Sequence, residues 1–253
     1  MIKTTLRDTK SIILFTKKSV YKLALGFKSH KWLQHEFRSQ SLAKEDVFFS
    51  KYCPTSSRIL LGFKTERLFH LQDQHTHLLT AYLDTYKKTL LSQEYCPVSE
   101  LIDMPYLKHY TDTVNSPLSE NLLQFLATKT LPKSSSHGDF QSGNIMHNGT
   151  SLMFIDWPNF STQSSGVFDF YQYHVDSIKG NESWIQIIEC LLNKTHQLPI
   201  PDAFKTPEAI IGYALNRLHL ETRQWKNLGL THKLYKHKYK QLLDIINNHV
   251  TNN

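Results

Sequence analysis

The first part of the chain alternates short apolar runs with polar turns, a pattern typical of β-strands joined by tight connections. The turns are rich in Lys, Ser, Thr and Asp, and the apolar runs between them are too short for helices. One longer stretch, 32–42, places Leu33 and Phe37 four residues apart and predicts a helix. The predicted strands are 2–6, 11–16, 20–25, 58–63 and 67–71.

Beyond residue 74 the apolar spacing becomes that of long amphipathic helices, with Leu79, Tyr82, Leu83, Tyr86 and Leu90 on one stripe. A loop-rich interval from 133 to 160 interrupts the helices and contains one apolar strand, 152–155. A small strand-rich piece before a larger helical piece indicates an α+β protein with two lobes. The predicted lobes are 1–72 and 73–253, and the predicted helices are 77–91, 118–127, 182–192, 207–230 and 231–250.

Composition narrows the class of protein. The 253 residues and 40% hydrophobic content suffice for one large domain or two packed lobes. A formal charge of +7 suits an anionic partner such as a nucleotide, a phosphorylated sugar, an acidic lipid headgroup or nucleic acid. A basic surface with no particular partner explains the same charge, so the charge alone leaves these alternatives open.

Three isolated cysteines without a CxxC pair argue against a disulfide framework and favour a reducing compartment. The apolar run 12–15 is too short for the core of a signal peptide, and no run approaches the length of a transmembrane helix. We therefore expect a cytoplasmic protein, and peripheral contact with a membrane is compatible with its charge.

The strongest motif lies in the loop-rich interval. It consists of His137-Gly138-Asp139, then Asn144 five residues after the acid, then a strand that ends in Ile155-Asp156-Trp157. The segment 136–157 resembles the aminoglycoside phosphotransferase and choline kinase family, whose pattern is HGD-x4-N followed by hydrophobic residues and IDW. Gly143 and Ile145 also match, because Gly-Asn commonly precedes an aliphatic residue in that family. Outside this segment the resemblance is thin.

The resemblance implies a protein-kinase-like fold, with a small antiparallel β N-lobe and a larger, mainly helical C-lobe. It also implies phosphoryl transfer from ATP with Mg²⁺, a reaction that depends on positioning and charge stabilisation. In this reading Asp139 is the catalytic base, Asn144 and Asp156 hold the metal, and His137 braces the loop. The alternative is a loop whose Asp and Asn side chains only cap turns and helices.

A further acid, Asp169 in Gly166-Val-Phe-Asp-Phe170, stands where the family commonly has an acid that steadies the catalytic loop. The resemblance therefore assigns it structural support of the site. An N-cap of the next helix is the alternative.

The fold also needs a strand lysine, paired with a helix glutamate, to grip the nucleotide phosphates. Lys22 on the third predicted strand and Glu36 on the following helix are the candidates, and a solvated strand lysine is the alternative. Lys17, Lys18 and Lys28 are the substitutes for Lys22.

The sequence departs from the family because no glycine-rich loop precedes Lys22. The turns 7–10 or 17–19 would have to cover the phosphates. By analogy with the fold, adenine would contact the backbone of 70–73, with Leu60, Leu71 and Phe154 as flanking side chains.

We therefore expect an ATP-dependent small-molecule kinase that phosphorylates a hydroxyl of a sugar, a glycan precursor or an amino alcohol. The missing glycine-rich loop motivates the alternative of a pseudokinase that binds a nucleotide or partner without transfer. A nucleic-acid partner is not expected, because no recognised motif supports one. The sequence leaves the oligomeric state open.

Overall fold

The structure is a computed structural model that describes residues 3–6, 11–178, 180, 183–228 and 233–252. The strands are β1 (Lys3–Leu6), β2 (Ser11–Phe15), β3 (Ser19–Ala24), β4 (Ser56–Ile59), β5 (Gly62–Glu66), β6 (Phe69–His70), β7 (Tyr95–Pro97), β8 (Thr130–Pro132), β9 (Ser134–Ser136), β10 (Ile145–His147), β11 (Leu152–Phe154) and β12 (Ser161–Ser164). The helices are α1 (Phe27–Glu45), α2 (Thr76–Leu91), α3 (Met104–Thr113), α4 (Glu120–Thr128), α5 (Val167–Ile178), α6 (Trp184–Leu192), α7 (Pro207–Leu228) and α8 (Lys233–Asn252). The predicted mixed class of helices and small antiparallel sheets is confirmed.

Contacts divide the chain into two compact units, Met1–Thr85 with His137–Ser161 and Tyr86–Ser136 with Thr162–Asn253. The motif segment thus groups with the strand-rich part of the chain. The boundary between lobes at residue 72 was predicted from the sequence pattern alone. The two units are defined by contacts between residues and do not test that boundary, so the division into lobes stays a prediction.

The first unit contains a five-stranded antiparallel sheet in the order β1-β2-β3-β5-β4. Helix α1 packs against β3 and β5. Gly62 permits a close approach in the sheet, because a Cβ at this position would lie 1.9 Å from the carbonyl oxygen of Lys22. Lys22 is therefore held in the middle of the sheet, paired with Ile13 on one side and Phe63 on the other.

A second sheet of the first unit, in the order β11-β10-β6, carries the end of the motif. Phe154 of this sheet belongs to an aromatic cluster. Its ring centroid lies 4.8 Å from that of Tyr82 and 5.1 Å from that of Phe140. Trp157 and Phe49 continue the cluster at 5.6 Å. This packing accounts for much of the 12% aromatic content and fixes the strand that leads to Asp156.

The second unit is mainly helical, with two small two-stranded sheets, β7-β8 and β12-β9. Helix α7 packs against α3, α4, α5 and α6, and α8 packs against α4 and α6. Side-chain caps begin two of these helices, since Asp103 accepts from Tyr106 N at 3.1 Å and Ser119 from Leu122 N at 3.2 Å. Among the described residues, no helix is long and apolar enough to span a bilayer.

Most predicted elements are present, with two kinds of error. The predicted strand 58–63 is wrong, because Leu60 and Leu61 form the turn between β4 and β5 and are exposed. Helices α3 and α5 were not predicted, and neither were strands β7, β8, β9, β10 and β12. The predicted turn 7–10, residue 182 and residues 229–232 of the predicted helices lie outside the described residues.

Candidate active site

Three charged side chains from separate elements of the first unit meet at one point. The ammonium of Lys22 on β3 donates to Glu36 Oε1 on α1 and to Asp156 Oδ1 after β11. Lys22 and Glu36 are 7% and 4% exposed, so the ion pairs form away from bulk water. Burial alone would lower the pKa of Lys22, but the Asp156 and Glu36 carboxylates outweigh it and raise that pKa. The substitutes Lys17, Lys18 and Lys28 are all exposed.

Asp156 has an unusual backbone. Its φ is +60°, in the left-handed region that residues with a side chain rarely adopt. Such a conformation costs on the order of 1–3 kcal/mol and persists where the surroundings impose it, often at functional sites. The conformation turns the chain sharply after β11 and directs the carboxylate of Asp156 to Lys22.

Asp139 is tied to Asn144 by a tight turn. The Asn144 amide nitrogen donates to the Asp139 carbonyl oxygen and to its Oδ2, both at 2.9 Å. Gln141 Nε2 adds longer bonds of 3.3 and 3.4 Å to the two carboxylate oxygens. A single 3₁₀ turn over Ser142–Asn144 brings the Asn144 side chain back to Asp139. The spacing of five residues between the acid and the amide thus has a geometric cause.

Strand pairing places Asn144 next to Asp156. Ile145 pairs with Phe154, and the Ile155 amide donates to the Asn144 carbonyl at 3.0 Å, so Asn144 lies opposite the residue that precedes Asp156. Hydrogen bonds therefore link Asp139 to Asn144 and Asn144 to Ile155, the chain neighbour of Asp156, which in turn bonds Lys22. All of them lie within the first unit.

His137 is fully buried beneath this turn, with its ring 4.4 Å from that of Trp157. Its Nδ1 accepts from the Asp139 amide at 3.3 Å, so Nε2 carries the proton that is donated to the Ile155 carbonyl at 3.0 Å. Burial lowers the pKa of His137 to about 4, and the ring stays neutral at ordinary pH. The imidazole thus joins the start of the turn to the end of β11.

Gly138, between His137 and Asp139, has a φ of +76°. A Cβ there would lie 2.4 Å from the carbonyl oxygen of Asn159, so a side chain would strain the backbone and clash. The glycine of the motif is therefore required by the path of the chain.

An open cavity lies beside the charged cluster. Lys22, Glu36 and Asp156 form its polar part. Its apolar lining includes Ile13, Phe15, Val20, Leu68, Met146 and Ile155. A cavity with one polar end and an apolar remainder has the form expected of a site for a phosphorylated, ring-containing ligand.

The side chains that we predicted to flank the adenine are not the ones that line this cavity. Leu60 is 90% exposed in the β4–β5 turn, and Phe154 is fully buried in the aromatic cluster. Neither lines the cavity, and Leu71 does not line it either. The sequence could have suggested Val20, which alternates with Lys22 on one face of β3, but it gave no signal for Met146 on β10.

Asp169 lies in the second unit, in the first turn of α5, and is 1% exposed. It accepts from the hydroxyl of Tyr86 at 3.1 Å. The position is inside the helix and differs from the N-cap that was the alternative. Its predicted support of the catalytic turn stays a prediction.

The chemistry of the donors fits a magnesium ion. Asn144 and Asp156 offer an amide and a carboxylate oxygen, the hard ligands that Mg²⁺ prefers. The Asn144 Oδ1 accepts no hydrogen bond from any residue that the structure describes. Among those residues no group of three His, Cys, Asp or Glu side chains could hold a metal.

No protein-family model matches the sequence, and no curated protein matches it. Solved structures share the fold. The apo form of a thermostable mutant of aminoglycoside phosphotransferase APH(4)-Ia is 12% identical, with a TM-score of 0.57 over 100% of this chain and 94% of that one. Another mutant of that enzyme, in a ternary complex with ADP and hygromycin B, is 13% identical, with a TM-score of 0.55 over 98% and 94%.

A eukaryotic protein shows the same similarity. Plasmodium vivax ethanolamine kinase is 11% identical, with a TM-score of 0.51 over 96% of this chain and 81% of that one. This protein therefore has the fold of the aminoglycoside phosphotransferases and ethanolamine kinases, as the segment 136–157 predicts. At such low identity the likeness establishes the fold, and the site residues have to support the function.

Proposed function

We propose that this protein is an ATP-dependent kinase that transfers the γ-phosphoryl group to a hydroxyl of a small molecule. The observation that carries the proposal is the meeting of Lys22, Glu36 and Asp156 at the polar end of one cavity, with Asn144 and Asp139 bonded beside them. A capping role for the motif residues would not require a buried lysine from a distant strand. The shared fold with phosphotransferases and an ethanolamine kinase supports the same reading.

In this proposal Lys22 binds the α- and β-phosphates of ATP, and Glu36 keeps its ammonium in place. The phosphates would take the position at Lys22 that Asp156 now holds, which releases the Asp156 carboxylate for the metal. Asn144 and Asp156 hold Mg²⁺, which neutralises charge on the phosphates when it is bound. The apolar lining receives the base of the nucleotide.

Asp139 would orient the acceptor hydroxyl and take its proton. As the new bond between oxygen and phosphorus forms, the bond from phosphorus to the bridging oxygen of ADP breaks, and the proton passes to the carboxylate. Asn144 and Gln141 fix the direction of that carboxylate through their amides. His137 supports the turn from beneath, and we assign Asp169 a similar supporting role.

The proposal defines the acceptor only by its chemical class. The neighbours act on, or are bound to, an amino alcohol or an aminoglycoside, as their names state. We propose a hydroxyl of a sugar, a glycan precursor or an amino alcohol, in a cytoplasmic protein that does not bind nucleic acid.

The test is ATP turnover on a panel of hydroxyl compounds that covers these three classes, with water as the background acceptor. Asp139→Asn should lower turnover about a hundred- to ten-thousandfold, since the base is lost while size and hydrogen bonding are kept. Asp84→Asn is the matched control, because Asp84 is an exposed acid of the same unit. Equal turnover by wild type and Asp139→Asn on every substrate would refute the proposal.

A pseudokinase is the second candidate, favoured by the bond that Lys22 makes to Asp156 and by the missing glycine-rich loop. In that case ATP and Mg²⁺ would raise the melting temperature without any product. Thermal stabilisation by the nucleotide together with turnover would instead exclude it. The two measurements on the same sample therefore separate the candidates.

A further inference from the structure

Four of the seven exposed large hydrophobic residues in the described part of the first unit lie at one edge of the five-stranded sheet, and the other three are Leu42, Val47 and Phe69. Phe27 is 73% and Leu60 is 90% exposed, and Leu25 and Leu61 are each more than half exposed. The Ala24 amide donates to the Leu61 carbonyl at 2.8 Å, so the turn after β3 and the turn between β4 and β5 lie side by side. We call these four residues, Leu25, Phe27, Leu60 and Leu61, the apolar tips.

A small basic pocket opens beside the apolar tips. It is lined by His30, Leu33, Gln34, Phe37, Arg38, Arg58 and Gly62. Two of its residues directly border the tips, since His30 follows Phe27 by three positions on α1 and Arg58 precedes Leu60 by two. The pocket and the tips therefore form one continuous surface.

No residue that the structure describes neutralises the two arginines of this pocket. Arg38 and Arg58 are exposed and form no ion pair or hydrogen bond with any described residue. His30 bonds Gln34 through Nε2 at 2.8 Å, and its buried Nδ1 has no hydrogen-bond partner in the described part of the chain. The two exposed guanidinium groups fit a phosphate group.

Further cations lie close to the tips along the chain. Lys28 and Lys31 are exposed on the first turns of α1, and the Lys31 ammonium lies 4.6 Å from the centre of the Phe27 ring. The one acid among residues 25–38 is Glu36, which is buried and bonded to Lys22. Protruding Leu and Phe side chains within a field of Lys and Arg have the chemistry of a surface that inserts into an anionic bilayer.

We propose that this edge docks the protein onto an anionic membrane surface, with the apolar tips inserted and a lipid phosphate in the basic pocket. A nucleic acid would use the cations but would leave four large apolar side chains in water. A second copy of this chain would carry the same positive charge and would be repelled. The bilayer is the partner that satisfies both the apolar and the charged groups, and this inference does not depend on the kinase activity.

The test is co-sedimentation of the full chain with vesicles of phosphatidylcholine alone and of phosphatidylcholine with phosphatidylserine. Binding is expected only with the anionic vesicles and should weaken as salt is raised. The double variant Phe27→Ala with Leu60→Ala should bind at least about tenfold more weakly, because two inserted side chains are lost. Circular dichroism verifies that each variant is folded.

The charge variants have a matched control. Arg38→Gln with Arg58→Gln should weaken binding about 25-fold, at roughly fivefold for each cation lost near an anionic surface. Lys87→Gln with Lys88→Gln on α2 removes the same net charge from exposed positions elsewhere and should have little effect. Equal loss in both pairs, equal binding to neutral vesicles, or no binding to anionic vesicles would overturn the proposal.

The same variant also tests two other partners, RNA and a second copy of the chain. RNA binding that the Phe27→Ala, Leu60→Ala variant retains, without vesicle binding, would make this edge a nucleic-acid surface. A dimer in solution that the same variant abolishes, again without vesicle binding, would make it an interface between copies. Either result overturns the membrane assignment.

Discussion

Each of the two units contains a buried cluster with one cation and two carboxylates, yet the clusters differ in almost every other respect. In the first unit Lys22 bonds Glu36 and Asp156. In the second unit Arg217 bonds Asp176 at 3.2 Å and Glu221 at 2.9 Å. Because both clusters contain one cation and two carboxylates, their other differences show what distinguishes a functional cluster from a structural one.

The Arg217 cluster is closed by its neighbours. Arg217 donates to the Tyr213 hydroxyl at 2.7 Å and lies 4.8 Å from the centre of the Trp184 ring. Glu221 accepts a second bond, from the Tyr239 hydroxyl at 2.8 Å. Burial would lower the pKa of Arg217, but the surrounding Tyr213, Glu221 and Asp176 raise it. The rigid guanidinium fork uses its donors in fixed directions, as suits a structural crosslink between helices.

The Lys22 cluster remains open. Lys22, Glu36 and Asp156 line the open cavity, and the backbone of Asp156 is strained. A lysine ammonium is compact and can exchange one oxygen partner for another without a change in geometry. The comparison teaches that a cavity, backbone strain and an exchangeable cation mark a functional cluster, whereas burial and charge alone do not.

The largest expected effect comes from removal of the first cation. Lys22→Met should lower ATP turnover about a thousandfold, or about 4 kcal/mol, because the phosphates lose their charge partner. The measurement is phosphate release from ATP at saturating Mg²⁺. Lys22→Arg controls for the loss of buried charge, and it should unfold like the wild type but recover little activity, since the guanidinium fork does not fit the place of an ammonium. Full activity of Lys22→Met would remove the distinction between the clusters.

Removal of the second cation should affect stability instead. Arg217→Met leaves Asp176 and Glu221 in a largely buried site without their cation, which costs about 3 kcal/mol of the free energy of unfolding. Urea denaturation measures this loss. The stabilisation of the folded variant by ATP should equal that of the wild type. An Arg217→Met protein of unchanged stability that no longer responds to ATP would reverse the assignment of the two clusters.

Much of the fold was predictable from sequence because its elements have strong local patterns. Strands β1, β2 and β3 follow from alternation and polar turns, and the long helices follow from their apolar stripes. The error at 58–63 arose because Ile59, Leu60 and Leu61 form an apolar run that continues through a turn without Pro or Asn. Nothing local shows that Leu60 and Leu61 are exposed, since that depends on what the sheet edge faces.

The site was predictable to the extent that its spacing reflects backbone geometry. Asp139 and Asn144 must be close because one 3₁₀ turn joins them. Lys22 was predicted because the family resemblance requires a lysine on the third strand, where it shares a face with Val20. The contact of Lys22 with Asp156 was not predictable, because it joins residues 134 positions apart and depends on the packing of two sheets. In the Arg217 cluster Glu221 lies one helical turn from Arg217, but the bond of Arg217 to Asp176 joins two separate helices and was likewise not predictable.

The smallest expected effect compares a buried histidine from each unit. His137 has both ring nitrogens bonded, whereas neither ring nitrogen of His219 has a hydrogen-bond partner among the described residues. At pH 8 we therefore expect His137→Gln to cost about 1–3 kcal/mol and His219→Gln to cost little. Urea denaturation of both variants measures the difference, and equal costs would contradict it.

The same pair of histidines defines a pH dependence. Burial lowers the pKa of His137 to about 4, while the unfolded chain protonates this ring near 6.5. The unfolded state therefore binds more protons between these values, and stability is complete above pH 6.5 and is lost as the pH falls toward 4. The slope due to His137 is at most about 1.4 kcal/mol per pH unit, and it should vanish in His137→Gln. Burial also lowers the pKa of His219, so His219→Gln should remove a separate contribution of the same sign. An unchanged slope in His137→Gln would show that this ring is not held neutral beneath the Asp139 turn.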